Sequence, residues 1–124
     1  MSEPIKLGKH DPIDLTDALD RIGGDTSFLV ELLNIYFEEY SEKKRLLEEA
    51  IARQDFIEIS ELGHSLKGAS ANLSLTRLQK AALSLELAGK EREIQGVREA
   101  ADALEIEIDH LKAYLQMNPL RVLA

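Results

Sequence analysis

The sequence predicts an all-α fold, an antiparallel up-and-down four-helix bundle with a short additional helix at its N-terminal end. Aromatic residues make up only 5% of the 124 residues and β-branched residues do not occur in runs, which disfavours strands. The three prolines, Pro4, Pro12 and Pro119, lie near the termini and leave about 100 residues between them without a helix breaker. In that stretch, apolar residues recur at steps of three and four in four long segments joined by short turns.

The short first helix is indicated by Leu15, Leu19 and Ile22, and Gly23-Gly24 end it. The long helices are predicted at about 27–53, 55–74, 76–89 and 94–115. Their expected N-terminal signals are Asp25, Thr26 or Ser27 for the first of them, Asp55 for the second and Thr76 for the third.

The predicted domain organisation is a polar leader over 1–13, one helical bundle over 14–118 and a C-terminal tail over 119–124. With 44% hydrophobic residues, the chain is long enough for one core and short for two. Met1 favours a free-standing protein, and a monomer is expected.

Charge and composition exclude several classes of function. The net charge of −8 repels nucleic acid and anionic membrane surfaces, so neither is an expected partner. Without cysteine there is no thiolate chemistry. The N-terminus does not resemble a signal peptide and no apolar run is long enough to cross a bilayer, so a cytoplasmic location is expected. No nucleophile elbow, glycine-rich phosphate loop or βαβ pattern is present, and autonomous hydrolase or kinase chemistry has no support.

Without cysteine, the candidates for nucleophile, acid, base or ligand are the three histidines and the many carboxylates, and the position of each histidine on its helix is considered first. In the helix predicted over 55–74, the apolar stripe centres between Leu62 and Leu66, and His64 falls roughly 180° away from it. His64 is therefore predicted to face solvent. His10 lies in the leader with nothing to position it, and His110 is interpreted as an ordinary surface residue.

The outward sector around His64 also contains Glu61, Lys67, Gly68 and Ala71. A helix-interior glycine costs roughly 0.8–1 kcal/mol relative to alanine, so Gly68 and Ala71 are interpreted as space left clear for a partner. The alternative is that Gly68 packs against a neighbouring helix. Lys67 has no carboxylate three or four residues away, so its ammonium is predicted to be unpaired and able to reach back toward His64; the alternative is a solvated lysine.

A metal site is a weaker alternative. Residues 61–64 and 107–110 both read Glu-x-x-His, the spacing used by di-iron carboxylate bundles. In those bundles the ligands project inward, whereas both motifs here lie opposite the apolar stripes of their helices. No metal ligand is therefore assigned.

The run from His64 to Ser70, His-Ser-Leu-Lys-Gly-Ala-Ser, resembles the signature of histidine-phosphotransfer (HPt) domains. The resemblance extends over about residues 14–116, and one departure is Ser74, where the family commonly has glycine. Further matching segments are Ala18-Leu19, Gly23-Gly24-Asp25, Phe28-Leu29, and Leu85-Glu86 near Gly89.

The resemblance implies that His64 is the phosphoacceptor, that Lys67 steadies the phosphoryl group and that Gly68 admits the partner. Glu61 and Ala71, which share the outward sector of the helix, are predicted to be docking residues as well. It also implies a phosphoryl carrier rather than an enzyme, without a cofactor of its own, since Mg²⁺ belongs to the partner. The implied partners are response-regulator receiver domains, with a hybrid sensor histidine kinase as a further candidate. The rival hypotheses are a helical adaptor in which His64 is incidental and the metal-binding bundle.

Overall fold

A computed structural model describes residues 11–118 of the protein. His10, most of the predicted leader and the predicted C-terminal tail lie outside this range. Over residues 11–118 the chain forms five helices and no strand. The helices are α1 (Leu15–Arg21), α2 (Thr26–Arg53), α3 (Phe56–Asn72), α4 (Thr76–Lys90) and α5 (Ile94–Met117).

The four long helices form an antiparallel bundle in which each packs on the next along the chain, and α2 returns to contact α5. The closest packing is between α3 and α4, and α1 lies against α2. The predicted fold class is confirmed. No helix within 11–118 combines the length and the apolarity needed to cross a bilayer.

The predicted apolar stripes form the core. In α3, Ile59, Leu62 and Leu66 are buried, and the partly buried Ala69 packs against them. The core begins before α1, because Ile13 at the end of the segment predicted as leader is fully buried. Burial of one face of α3 leaves its opposite face to solvent.

Three aspartates begin helices as N-caps. The side chains of Asp14, Asp25 and Asp55 each accept a hydrogen bond from the backbone N–H three residues later, at the starts of α1, α2 and α3. Each such cap contributes about 1 kcal/mol. Asp25 is therefore the cap among the three predicted alternatives for α2, and the prediction for Asp55 is confirmed.

The turn between α3 and α4 accommodates Ser74 in a left-handed conformation, with φ of +57°. This backbone region favours glycine, so a serine here carries strain. Ser74 is buried, its hydroxyl donates to the Asp17 carboxylate of α1, and its carbonyl accepts from the Asp14 N–H at 3.0 Å. The hydroxyl of Ser74 lowers the pKa of Asp17 against a smaller opposing effect of desolvation, and Arg21 lowers it further. The hydroxyl of Ser74, which a glycine would lack, thus links the α3–α4 turn to α1.

Candidate functional site

His64 lies near the middle of α3 on its outward face, and its side chain is 70% exposed. The prediction that it faces solvent is confirmed. On the inner face of the helix, the neighbouring Leu66 and Ser70 are buried in the core. The Ser70 hydroxyl donates to the Leu66 carbonyl at 2.7 Å, which leaves the Tyr36 hydroxyl of α2 to donate to Ser70 at 2.8 Å.

The imidazole of His64 is held by Glu86 of α4. Its Nδ1 lies 3.0 Å from Glu86 Oε2, while Lys67 Nζ donates to the other carboxylate oxygen, Oε1, at 2.7 Å. The side chain of Glu86 is only 6% exposed. A buried carboxylate therefore joins the two residues that the sequence singled out, and it comes from a different helix.

A close approach of α3 and α4 brings Glu86 to this place. A Cβ atom on Gly63 would lie 2.6 Å from the Glu86 backbone nitrogen, and one on Gly89 would lie 2.8 Å from the Ser60 nitrogen. Such distances leave no room for a side chain. Two glycines, one on each helix, thus permit the backbone contact that sets Glu86 beside the imidazole.

The charge state of Glu86 decides which nitrogen of His64 carries the proton. The hydrogen bond from Lys67 is the main cause that holds the pKa of Glu86 at about 2, below its usual 4.5. Desolvation raises this pKa, and the hydrogen bond with His64 and the charges of Lys67 and Lys90 lower it. An ionised carboxylate only accepts hydrogen bonds, so Nδ1 donates, and in the neutral ring Nε2 keeps its lone pair.

Lys67 is not an unpaired cation, which corrects the prediction. It has no carboxylate partner within α3, but its ammonium forms an ion pair with Glu86 of α4. Spacing along one helix cannot reveal a partner on the neighbouring helix. The ammonium is nevertheless on the same side of the site as His64, since both bind one carboxylate.

Gly68 is exposed, and a Cβ atom on it would have nothing within 4 Å. The outward placement is confirmed, and packing against a neighbouring helix is excluded. Glu61 is exposed and Ala71 is partly buried, so the predicted outward sector is present on both sides of His64 along α3.

Two grooves flank this face of α3, and Glu61 lines both of them. The groove toward α4 contains the cations Lys90 and Arg92, and Arg92 stacks on the Phe56 ring at 5.2 Å. The groove toward α2 is mainly acidic. Its charged lining residues are Glu39, Glu42, Lys43, Glu58 and Glu61.

His110 lies on α5 with its side chain half-exposed, and its Nδ1 is 3.5 Å from Glu107 Oε1 of the same helix. Arg77 Nε of α4 lies 3.1 Å from that oxygen. Neither Glu-x-x-His motif belongs to a metal-binding cluster, because no group of three or more histidine, aspartate or glutamate side chains suited to a metal ion occurs within 11–118.

The sequence analysis assigned no role in the site to Gly63, Lys90 or Glu86, although Glu86 lies in one of the matching segments. The structure places Lys90 Nζ 3.5 Å from Glu86 Oε2. Gly63 carried a usable signal: it is a helix-interior glycine next to His64, and its cost in helix propensity is the same as that of Gly68. Gly63 permits a close backbone contact, whereas Gly68 leaves the surface beside His64 open. The positions of the two glycines in the sequence do not distinguish these roles.

These features define a class of protein, a helical bundle that presents on its surface an exposed imidazole in contact with a buried carboxylate, with a cation bound to the same carboxylate. The Hpt domain family model matches residues 31–114, about two thirds of the chain. The protein therefore belongs to the Hpt domain family, the histidine-phosphotransfer domains of two-component phosphorelays. No curated protein matches the sequence.

Domains of this family carry phosphoryl groups rather than catalyse reactions on their own, and they act with receiver domains and histidine kinases. Membership agrees with the helical bundle described above.

Proposed function

We propose that His64 accepts a phosphoryl group on Nε2 from the phosphoaspartate of a receiver domain or hybrid kinase, and passes it to the aspartate of another receiver domain. The observation that carries this proposal is the contact of Nδ1 with the buried Glu86, which leaves Nε2 as the nucleophile on the exposed side of the ring.

The reaction requires no separate base on this chain. The Nε2 lone pair attacks phosphorus, a P–N bond forms, the P–O bond of the acyl phosphate breaks, and the aspartate leaves as a carboxylate. The Nδ1 proton stays in its hydrogen bond to Glu86, whose negative charge offsets the positive charge that develops on the ring. Return of the phosphoryl group to a second aspartate follows the same steps in reverse.

The surrounding residues position the partner. Lys67 neutralises part of the phosphoryl charge, and the bare surface at Gly68 and Ala71 admits the rim of the receiver active site. Glu61 contacts the partner from the junction of the two grooves. This chain needs no cofactor of its own, because the Mg²⁺ that stabilises the transferring phosphoryl group is held by the receiver.

Incubation of the purified chain with a phosphorylated receiver domain and Mg²⁺ tests the proposal. A carrier gains phosphate that is labile in acid, as expected for a P–N bond, and releases it to a second receiver. An adaptor binds the receiver but gains no phosphate, and a metal-binding bundle instead takes up iron or manganese. Either of the last two results contradicts the proposal.

A further inference from the structure

The short helix α1 depends on its neighbours for its stability. It has seven residues, and an isolated helix of that length is not stable in water. Two of its side chains, Leu15 and Ala18, are buried, and the others are partly or fully exposed. Gly23 and Gly24, both at positive φ, follow it after one residue, and such a glycine pair can act as a hinge between α1 and α2. A few contacts with the bundle therefore decide where α1 lies.

Three polar contacts tie α1 to the end of α3 and to the turn that follows it. The Asp14 N–H donates to the Ser74 carbonyl at 3.0 Å, and the Ser74 hydroxyl donates to Asp17 Oδ2. Arg21 donates from Nη1 to the Ala71 carbonyl at 3.2 Å and from Nε to Asp17 Oδ2 at 2.9 Å. The carboxylate of Asp17 thus binds both the turn and the arginine that reaches α3.

These contacts differ in strength. The side chains of Asp17 and Arg21 are 47% and 52% exposed, and an exposed ion pair stabilises little. Ser74 is only 5% exposed, and its hydrogen bond to an ionised carboxylate is charge-assisted. Loss of a buried hydrogen bond of this kind is costly. The contact between Ser74 and Asp17 therefore holds α1 more firmly than the ion pair with Arg21 does.

The backbone of Ser74 adds a second argument. Three residues other than glycine have a left-handed backbone within 11–118, and they are Gln54, Ser74 and Arg92. Glycine would adopt this conformation without strain, so each of the three carries a cost that glycine avoids. The exposed Gln54 forms no side-chain hydrogen bond or ion pair with the described residues, whereas Ser74 uses its hydroxyl to bind α1. At Ser74 the contact with Asp17 offsets the strain.

We propose that Ser74 and Asp17 form a clasp, which holds α1 closed over the α3–α4 turn. When this contact breaks, α1 opens as a unit, with Gly23-Gly24 as its hinge. Opening also removes the hydrogen bond from α1 to the Ala71 carbonyl. The rest of the bundle stays folded, because α2 to α5 pack on one another. The clasp is independent of the phosphoryl chemistry proposed above.

Amide hydrogen exchange of the parent chain, followed by NMR, tests whether α1 opens as a unit. The amides of Ala18 and Leu19 should be equally protected, and less protected than those of Leu66 in α3 and Leu85 in α4. Their exchange should depend little on added urea, because opening of one short helix exposes little surface. If the α1 amides exchange only together with those of α3 and α4, the opening is global and the proposal is wrong.

Ser74→Gly tests the clasp itself. It should speed the exchange of the α1 amides about tenfold, because loss of the charge-assisted hydrogen bond outweighs the strain that glycine removes. Gln54→Gly is the matched control, since it makes the change to glycine at a left-handed residue without a side-chain hydrogen bond to any residue of 11–118. The control should not speed exchange in α1, and an equal acceleration there overturns the proposal.

Asp17→Ala removes the acceptor of the clasp. In that background Ser74→Gly should slow the exchange of the α1 amides, because glycine removes the strain and no hydrogen bond is left to lose. The free energy of unfolding in urea gives the same comparison if these amides exchange too fast to measure. Unchanged exchange in Ser74→Gly alone, or the same acceleration in both backgrounds, contradicts the clasp.

Discussion

His64 and His110 are both exposed histidines on long helices, both end a Glu-x-x-His motif, and both have a glutamate near Nδ1. They differ in where that glutamate comes from. The carboxylate at His110 is Glu107 of the same helix, at 3.5 Å, whereas the one at His64 is Glu86 of the neighbouring helix, at 3.0 Å. The glutamate of the motif at His64, Glu61, lies instead in the flanking grooves.

Glu86, a buried carboxylate from a second helix, contacts its imidazole more closely than Glu107 does from the same helix. Glu86 is held by its closely packed backbone and by Lys67, so its position does not depend on His64. Glu107 is shared with Arg77 and contacts His110 only at long range. Of these two histidines, His64 is therefore the one whose proton-bearing nitrogen is determined by a firmly held carboxylate.

The largest expected effect separates the two histidines directly. His64→Gln should abolish phosphate acceptance from a phosphorylated receiver while circular dichroism remains that of the parent chain, because an exposed side chain contributes little to the core. His110→Gln should accept phosphate at the parent rate. Full labelling of the first variant, or loss of labelling in the second, would mean that the wrong histidine has been assigned.

Glu86→Gln should slow transfer about 10- to 100-fold, the range found for carboxylates that orient metal-binding histidines through the other ring nitrogen. The amide can donate to Nδ1, which places the proton on Nε2 and blocks the nucleophile. ¹⁵N NMR of the imidazole reports the tautomer, and stopped-flow measurements report the rate. Glu107→Gln is the matched control and should change neither; an unaltered tautomer in Glu86→Gln contradicts the orienting role.

Substitution of the two glycines of α3 should change the free energy of unfolding in opposite directions. Gly68→Gln should raise the free energy of unfolding by a few tenths to about 1 kcal/mol, because the position is open and glutamine favours helix. Gly63→Ala should lower it by about 1–3 kcal/mol, because the new methyl group meets the α4 backbone. Thermal or urea unfolding of both variants measures the difference.

Transfer should nevertheless fall in Gly68→Gln, since the new side chain lies one turn from the imidazole and occupies space that the receiver must enter. Stability and function then change in opposite directions in one variant. A more stable protein with normal transfer would contradict the docking role of Gly68.

The smallest expected effect is that of Lys67→Ala. One screened cation beside a partly exposed dianion is worth on the order of 1 kcal/mol, so transfer should slow about fivefold without being abolished. The difference between variant and parent should narrow as salt is added. An unchanged transfer rate at low ionic strength would contradict the role of Lys67 in phosphoryl transfer and leave it only the structural role of pairing with Glu86.

Local features of the sequence determine the helices, their boundaries and the exposure of His64. Apolar spacing, aspartate caps and Gly23-Gly24 act over a few residues, and periodicity alone places His64 and Gly68 opposite the core stripe. Helix class and bundle architecture follow, because four amphipathic helices joined by short turns have few ways to bury their stripes.

Only the tertiary structure determines which side chain contacts the Nδ1 atom of the His64 imidazole. Glu86 is 22 residues from His64 along the chain, and which residues of α4 meet α3 depends on how closely two backbones approach. That approach is set at Gly63 and Gly89, and it converts an apparently unpaired Lys67 into the partner of a buried carboxylate. Charge pairing between helices is a property of packing, and helical spacing within one segment carries no information about it.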